Sequence, residues 1–360
     1  MRRKVYKRLK IFSSVLLTGL IILTAVTAGY MGVVWLDIPV VTTWRNIWIE
    51  TAMTTFTHQW LATSIFPQWL IDDVMNQAEL PNTVPVEVPS STPDNGMSPT
   101  PTPEDPLNQK NLKTGGKDEF GNEIIDNNIE EGMLLIKITG KTSIGSYTAR
   151  LLLIDDPSRV FVGTTNKKGK YGQVICEMMK NYNAVAAVNA SGFEDPDGHG
   201  KGGIINGLCY SEGEAWGTLN PKYASIIITE SNKLVVGNTS DWEGLSVRDG
   251  AQFTPTVISN GKIVVGNTYS HQPRTIVAQR YDGVFMFLVV DGRSISSVGA
   301  TYKQCAEILL KYGAVNAGAC DGGSSSVLAY EGKVINVPST PMKDTGRYLP
   351  NAFMVRSKKG

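Results

Sequence analysis

The hydrophobic pattern begins with one long run that contains no charged residue, from Ile11 to Leu36. As an α-helix, a run of this length exceeds the roughly 30 Å thickness of the hydrocarbon core of a bilayer. Six basic residues precede the run and Asp37 follows it. Because positive charge favours the cytoplasmic side, we expect the rest of the chain to be exported. The pattern predicts a cytoplasmic tail over 1–10 and a transmembrane signal anchor over 11–36.

A cleavable signal peptide is the competing interpretation of the same run. Such peptides also start with basic residues, and the small residues at 24–28 imitate a cleavage site. Their apolar stretch is only about 7–15 residues long. The length of this run therefore favours an uncleaved anchor.

Aromatic residues at intervals of four mark the next segment, residues 37–80. The positions that would share one side of a helix are Trp44, Trp48, Ala52, Phe56 and Trp60. A Trp-rich amphipathic helix beside a membrane span has three interpretations, which the sequence leaves open. It lies in the membrane interface, pairs with a copy of itself in a homo-oligomer, or packs on its own domain. Pro67 is expected to end or kink it.

Residues 81–117 are rich in proline and threonine and have no apolar periodicity. Eight of the 18 prolines of the chain fall between Pro81 and Pro106. Such a sequence tends to the extended polyproline II conformation. It predicts a linker that carries a folded domain, residues 118–360, away from the membrane.

Short apolar runs separated by turns dominate this domain. Asn260 and Gly261 separate two of the runs and give the type I′ signal of a tight hairpin. Val284–Val290 is apolar throughout, as is typical of a strand covered on both faces. The predicted fold class is α+β, a mixed β-sheet domain with β-hairpins and two helix–strand units, preceded by one transmembrane helix.

The two helix–strand units are related by a constant offset. Apolar positions 175, 178, 179 and 182 form one helix face, and the same spacing recurs 130 residues later. Thr301 with Gln304 gives a capping box at the start of the second helix. Each helix leads into a short buried strand, and the strands end near Asn189 and Asp321. Because strand side chains alternate between two faces, we expect these two polar ends to meet at one crevice.

The charge balance excludes one large class of partner. The chain has 34 basic and 33 acidic residues, a net charge of +1, and only 19% charged residues. Since no positive excess is present, the sequence argues against a nucleic-acid partner. The four cysteines are too few for a disulfide scaffold, and their spacing does not fit a zinc cluster.

The strongest local candidate for chemistry is the run Asp321–Ser326. It places a carboxylate at a strand end, followed by two glycines and three hydroxyls. The glycines let a ligand approach the backbone, and successive N–H groups form an anion-binding nest. Taken alone, the run is equally typical of an ordinary Asp-Gly turn.

Two further residues have both a functional and a structural interpretation. Arg274 precedes a strand, where its planar guanidinium suits phosphate or carboxylate, or forms a surface ion pair. Asp291 closes the strand Val284–Val290 and is either a turn former or a site carboxylate.

The loop 194–200 is acidic and contains His199. Its spacing does not fit an EF-hand, so a solvated loop is favoured over a metal loop.

Seven short stretches, taken in order, resemble the phosphodiester glycosidase family. This family has an animal member that uncovers mannose 6-phosphate and bacterial members often labelled exopolysaccharide biosynthesis proteins. The stretches are Ala187–Phe193, Pro273–Thr275, Val289–Arg293, Ser297–Thr301, Gly313–Ala317, Asp321–Ser324 and Arg347–Ala352. The sequence departs from the family pattern at Cys320, where leucine is common, and at Ser324, where a further glycine is usual.

The resemblance implies that residues 118–360 hydrolyse a sugar-1-phosphodiester to free sugar and a phosphomonoester. It implies that Arg274 grips the phosphate and that Asp321 is the base, the nucleophile or a ligand of a divalent cation such as calcium, with Asn189 as a third catalytic candidate. The expected substrate-binding residues are Asn316, Gly322, Gly323, Ser324, Ser325, Asp291, Arg347 and His199, the last as an acid.

The expected substrate is a sugar phosphate or a cell-wall glycopolymer, met by an extracellular C-terminal domain on a single-pass membrane protein. Two alternatives stay open. The first is a non-catalytic binding or scaffolding module for phosphate-linked cell-wall glycopolymers. The second is a metal-dependent phosphodiesterase that cuts the other side of the phosphorus and releases sugar 1-phosphate.

Overall fold

The computed structural model describes residues 2–53, 59–78, 84–86, 105–196 and 200–359, with side chains from residue 13 onward. The chain separates into two compact units, Met1–Gln77 and Ala78–Gly360. Most of the predicted linker, 87–104, lies outside the described residues. The C-terminal unit is already folded ahead of residue 118, because Leu107 is buried in its core and Gln109 donates to the carbonyl of Met133 at 2.9 Å.

The described part of the N-terminal unit contains four helices: α1 (Arg2–Trp35), α2 (Pro39–Met53), α3 (Trp60–Thr63) and α4 (Gln68–Gln77). The part of α1 from Ser13 to Trp35 is long and apolar enough to cross a membrane, with a mean hydropathy of 1.9. Length and composition alone fit a signal peptide equally well.

The expected aromatic stripe is divided between α2 and α3, and its tryptophans are exposed whereas its Ala52 is buried. In α2, Ile49 and Ala52 are buried, whereas Trp44 and Trp48 are exposed. Phe56 lies outside the described residues. Pro67 separates α3 from α4, as its fixed φ and missing N–H require.

The described part of the C-terminal unit contains 18 strands and two helices. In chain order they are β1 (Glu123–Asn128), β2 (Met133–Thr142), β3 (Gly145–Ile154), β4 (Val160–Thr164), α5 (Ile175–Asn181), β5 (Ala184–Asn189), β6 (Leu208–Ser211), β7 (Glu214–Gly217), β8 (Ala224–Thr229), β9 (Leu234–Gly237), β10 (Val247–Phe253), β11 (Thr256–Ser259), β12 (Lys262–Ile263), β13 (Arg274–Arg280), β14 (Phe285–Val290), α6 (Tyr302–Lys311), β15 (Ala314–Cys320), β16 (Leu328–Tyr330), β17 (Lys333–Val334) and β18 (Asn351–Arg356).

These strands form three sheets. The first has the order β1-β2-β3-β14-β13-β15-β11-β12, the second β7-β6-β10-β8-β9 and the third β17-β16-β5-β18-β4. Every pair of neighbouring named strands is antiparallel. The predicted α+β class with hairpins is confirmed, and the two helix–strand units deliver their strands, β5 and β15, to different sheets.

The central strand β14 is covered on both faces, as its apolar run predicts. Met286 and Leu288 enter one core cluster, which also contains Leu309 of α6. Phe285 and Phe287 enter a second cluster, which strands of the other two sheets share. Because side chains alternate between the two faces of the first sheet, one face packs against helix α6 and the other packs against the second and third sheets.

Local signals at the ends of α6 position β15. Thr301 Oγ1 accepts from the backbone N–H of Gln304, and Gln304 Oε1 accepts from the N–H of Thr301, which completes the predicted capping box. Gly313 has a φ of +88°, which suits a left-handed helix end. The chain thus leaves α6 directly into the strand that ends beside Asp321.

A buried ion pair ties the C-terminus to the first sheet. Arg159 donates to Glu131 at 2.5 Å, and both side chains are about 7% exposed. Glu131 also accepts from the Ser357 hydroxyl and the Lys358 N–H, each at 2.9 Å. The carboxylate of Glu131 is therefore fully engaged away from water.

Replacing Glu131 by Ala should destabilise the chain by about 3–5 kcal/mol, because the buried Arg159 guanidinium loses its bonded carboxylate and keeps only the more distant Asp155, at 3.9 Å. Urea unfolding of the full chain in mild detergent measures the change. Glu130→Ala is the matched control, since its partner Lys359 is exposed, and its unfolding midpoint should not move. Equal midpoints for the two variants would contradict this role of Glu131.

Candidate active site

The ends of the two helix–strand units meet, as expected. The side-chain amide of Asn189 at the end of β5 donates to the carbonyl of Asp321 at 2.6 Å. The N–H of Asp321 donates to the carbonyl of Ala190 at 2.8 Å. These two bonds join the third sheet to the first at the start of the glycine-rich turn.

Asn189 is fully buried, and its side chain is used for positioning. Its Oδ1 accepts from the hydroxyl of Thr275 at 2.8 Å and from the N–H of Val327 at 3.1 Å. One amide therefore connects β5, β13 and both sides of the turn 321–326.

The turn itself is anchored on the segment before β13. The N–H of Gly323 donates to the carbonyl of Pro273 at 3.0 Å, and Gly323 has a φ of +60°. Since a residue with a Cβ rarely adopts this conformation, glycine is required here. Pro273 and Thr275, the two neighbours of Arg274, are thus both bonded to the turn or to Asn189, which places Arg274 beside Asp321.

Burial raises the pKa of the Asp321 carboxyl to about 6, while the Ser325 hydroxyl, Arg347 and the N–H of Gly322 oppose the shift. Asp195 acts in the same direction as burial. The carboxyl of Asp321 therefore gains and loses a proton close to neutral pH, as a general acid or base requires.

Arg274 carries a buried positive charge that the described residues do not neutralise. Its side chain is 6% exposed and donates to the backbone carbonyls of Ala300 at 3.2 Å and Ser270 at 3.0 Å. Its guanidinium also stacks on the ring of Tyr302, 3.9 Å from the centroid. No carboxylate in the described residues pairs with it, so the site favours an anion.

Arg347 braces the turn from the opposite side. It donates to the hydroxyl of Ser324 at 2.9 Å and forms an ion pair with Asp195 at 2.8 Å. Its guanidinium lies 4.8 Å from the centroid of the Phe193 ring. Arg347 therefore links the loop after β5 to the glycine-rich turn.

Two expected binding residues are placed elsewhere. Asn316 lies farther back on β15, where it bonds to the N–H of Asn260 and the carbonyl of Leu234. Asp291 is buried in an ion pair with Arg150 at 2.9 Å and accepts from the N–H of Val337 at 2.8 Å. Both side chains are occupied by structural bonds, so neither is brought to the turn with its polar atoms open.

The family profile of phosphodiester glycosidases matches residues 182–356. This segment belongs to the phosphodiester glycosidase family. It contains β5, β13, β15 and the whole turn 321–326, whereas β1–β4 and α5 precede the match.

One solved structure has a fold similar to that of this chain. It is the zebrafish N-acetylglucosamine-1-phosphodiester alpha-N-acetylglucosaminidase catalytic domain, auto-inhibited by its pro-peptide, with a TM-score of 0.54 at 17% identity. The similarity covers 68% of this chain and 87% of the zebrafish chain.

A curated relative from Bacillus subtilis (strain 168) is the SPbeta prophage-derived uncharacterized protein YomE. It is 30% identical over 192 residues, which is 50% of this chain. The match spans 29% of the length of YomE.

The metal prediction stays open. Among the residues that the structure describes, no group of three His, Cys, Asp or Glu side chains is arranged to hold a metal ion. His199, the proposed acid, lies outside the described residues.

Sequence reasoning did not nominate Arg293, although it stands in the family stretch 289–293. Arg293 has a φ of +56°, and its Nη2 lies 3.2 Å from where a Cβ on Gly323 would be. Burial and the charge of Arg274 lower the pKa of Arg293. A second guanidinium therefore lies at the turn. Only its tertiary neighbour Gly323 reveals this, because the local Asp-Gly-Arg sequence is that of a simple turn.

His271 was also not nominated as a site residue. Its Nδ1 lies 2.7 Å from the carbonyl of Tyr269, and burial together with the charge of Arg274 lowers its pKa. Tyr223 and Tyr302 are likewise near the site, because the charge of Asp321 contributes to the raised pKa of each. In both cases burial is the larger cause.

Replacing Asp321 by Asn should stabilise the folded chain at pH 8 by up to about 3 kcal/mol, since it removes a carboxylate whose ionised form burial disfavours. As the pH falls from 6 to 4, the folded wild type takes up a proton that the unfolded chain does not yet bind. The difference should therefore vanish below pH 4. Unfolding at both pH values measures it.

Asp344→Asn, at an exposed position, is the control for this experiment. Its stability relative to wild type should be the same at both pH values. Equal stabilisation by Asp321→Asn at pH 4 and pH 8 would argue against burial as the cause of the shift.

Proposed function

We propose that this chain is a membrane-anchored extracellular hydrolase that cleaves a sugar-1-phosphodiester to free sugar and a phosphomonoester, in cell-surface polysaccharide metabolism. The observation that carries the proposal concerns Arg274, whose buried guanidinium lacks a carboxylate partner in the described residues and whose neighbours Pro273 and Thr275 are bonded to the turn of Asp321 and to Asn189. Membership of residues 182–356 in the family supports the reaction class.

The anion site fits the phosphate of such a substrate. Arg293 brings a positive charge to Gly323 of the glycine-rich turn, and Arg274 is close enough to lower the pKa of Arg293. Because Gly323 has no side chain, the guanidinium of Arg293 can approach the backbone of the turn closely. When the sugar–oxygen bond breaks, negative charge grows on the departing phosphate, and fixed cations stabilise that charge.

Asp321 supplies the second half of the chemistry. In its ionised form it accepts a proton from water as the water oxygen attacks the anomeric carbon. The bond from that carbon to the phosphate oxygen breaks, its electron pair leaves with the phosphate, and the products are free sugar and a phosphomonoester. If Asp321 is instead the nucleophile, a glycosyl-enzyme forms first and water then releases the sugar with its configuration retained.

The aromatic and carboxylate residues around the turn suit a sugar. Tyr223 and Phe253 have their ring centroids 5.8 Å apart, and Phe253 packs against Gly192. Asp195 is held by Arg347 at the other side of the turn. Sugar rings bind well between an aromatic face and a few fixed polar groups.

Asp321→Asn should lower kcat by about 10³-fold or more, and Arg274→Ala by about 10²-fold, because each removes a group that acts on charge in the transition state. The assay follows free sugar from an N-acetylglucosamine-1-phosphodiester with the full chain in detergent. Arg356→Ala is the control, since Arg356 is exposed and pairs with Ala184 at the far end of β5.

The products separate this function from its alternatives. Sugar 1-phosphate instead of free sugar would identify a phosphodiesterase. Binding of the phosphodiester without turnover would identify a non-catalytic module for glycopolymers. Wild-type turnover in either folded variant would refute the roles of Asp321 and Arg274.

Arg293→Ala should raise KM about tenfold with a smaller change in kcat, because loss of a charge-assisted bond to an anion costs about that much affinity. Arg293→Lys keeps the charge and should recover part of the loss. Steady-state kinetics at low and high salt measure both. An unchanged KM in Arg293→Ala would exclude contact with the phosphate.

A further inference from the structure

The N-terminal unit exposes most of the tryptophan in the chain. Five of the seven tryptophans are 48–62% exposed, and all five lie between residues 35 and 69. We call them the tryptophan collar: Trp35, Trp44, Trp48, Trp60 and Trp69. Large exposed aromatic groups at this density mark a surface that binds a partner.

Members of the collar are connected to one another through the helices. Trp44 and Trp48 are one turn apart on α2, and the indole N–H of Trp48 donates to the carbonyl of Leu61, next to Trp60, at 3.1 Å. The rings of Trp35 and Trp69 lie 5.0 Å apart. The collar thus joins the end of α1 to α2, α3 and α4.

The charged side chains of this part of the chain are buried, in contrast to its exposed tryptophans. Between Ile38 and Ile71 the sequence has only two Asp, Glu, Lys or Arg residues, Arg45 and Glu50, and both are buried. Arg45 donates to the carbonyls of Val33 and Val34 at the end of α1, at 3.2 and 3.1 Å. The stretch from Ile38 to Ile71 therefore keeps its charges inside and exposes indole and aliphatic side chains, the reverse of a water-soluble surface.

The end of α1 is part of this small fold. Val34 lies in the same core cluster as Ile49 and Leu70. The hydroxyl of Tyr30 donates to the carbonyl of Ile65 at 3.0 Å. The collar consequently begins where the apolar segment Ser13–Trp35 ends.

We infer that residues 36–53 and 59–71 lie in the interfacial zone of a lipid bilayer, with the tryptophan collar at the level of the headgroups. Indole rings concentrate at this depth because they have a large apolar face and one polar N–H. The inference rests on the anchoring role of α1 in the proposed function. Continuity with α1 favours lipid over a second copy of the chain, and exposed Asp72 with Asp73 ends the uncharged stretch.

Brominated lipid tests this placement, because bromine on the acyl chains quenches only tryptophans that reach the membrane. The full chain is reconstituted in phosphatidylcholine–phosphatidylglycerol vesicles, with and without brominated phosphatidylcholine. We expect strong quenching of the wild type. In the double variant Trp44→Phe with Trp60→Phe, the part of the emission that bromine quenches should fall about twofold. Phenylalanine keeps the apolar surface but lacks the fluorescent indole.

The matched control replaces the two tryptophans of the C-terminal unit, Trp216→Phe with Trp242→Phe. It should keep all of the quenched emission. Carbonate extraction and the mass of the mature chain test anchoring separately. A chain that resists extraction but is not quenched overturns the interfacial placement alone, whether or not cross-linking then finds a dimer. A chain cleaved before residue 36 overturns the anchor and the placement together.

Discussion

The side-chain amide of Asn189 is the contact on which the site depends. It is fully buried and bonds to Asp321, Thr275 and Val327, which belong to three separate parts of the C-terminal unit. A buried amide that loses one partner leaves another polar group unpaired, which costs more than the bond contributes. The pairing of β13 with β15 sets the position of Asp321 relative to Arg274, and this side chain ties that pair of strands to β5 and to the turn. Asn189 acts by holding other groups in place.

Close to Asn189, the charges of Arg274 and Asp321 are not balanced in the way that other buried charges of the unit are. Arg274 is buried with carbonyl partners, and the pKa of Asp321 is raised to about 6 by burial. Elsewhere in the same unit, buried charges are neutralised, as in Glu131 with Arg159 and Asp291 with Arg150. The contrast matters because the described residues supply no carboxylate to Arg274, although other buried charges of the unit are paired. A bound anion beside a carboxylate that changes protonation near pH 6 relieves that imbalance.

Local sequence signals predicted the strands and the turn that form the site. Which side chains belong to the site depends on tertiary contacts. Capping, helix periodicity and the glycine turn place Asp321 and Asn189 without reference to distant residues. Asn316 could have been excluded by the same logic, because it is an odd number of residues from Asp321 and strand side chains alternate. Asp291 could not, since its partner Arg150 is 141 residues away. Arg293 was missed for the same reason, because it meets Gly323 only in the folded chain.

The tryptophan stripe shows a different limit of sequence patterns. A spacing of four residues shows which side chains share a helix face, but not whether that face contacts protein, water or lipid. In α2 the buried face is that of Arg45, Ile49 and Ala52, and the indoles point outward. In the C-terminal unit, by contrast, Trp242 is buried and Trp216 is half-buried. The two units therefore differ in where they place their indole side chains. A low charged fraction of 19% describes neither unit, because residues 38–71 have no exposed Asp, Glu, Lys or Arg side chain, whereas the C-terminal unit carries many such side chains on its surface.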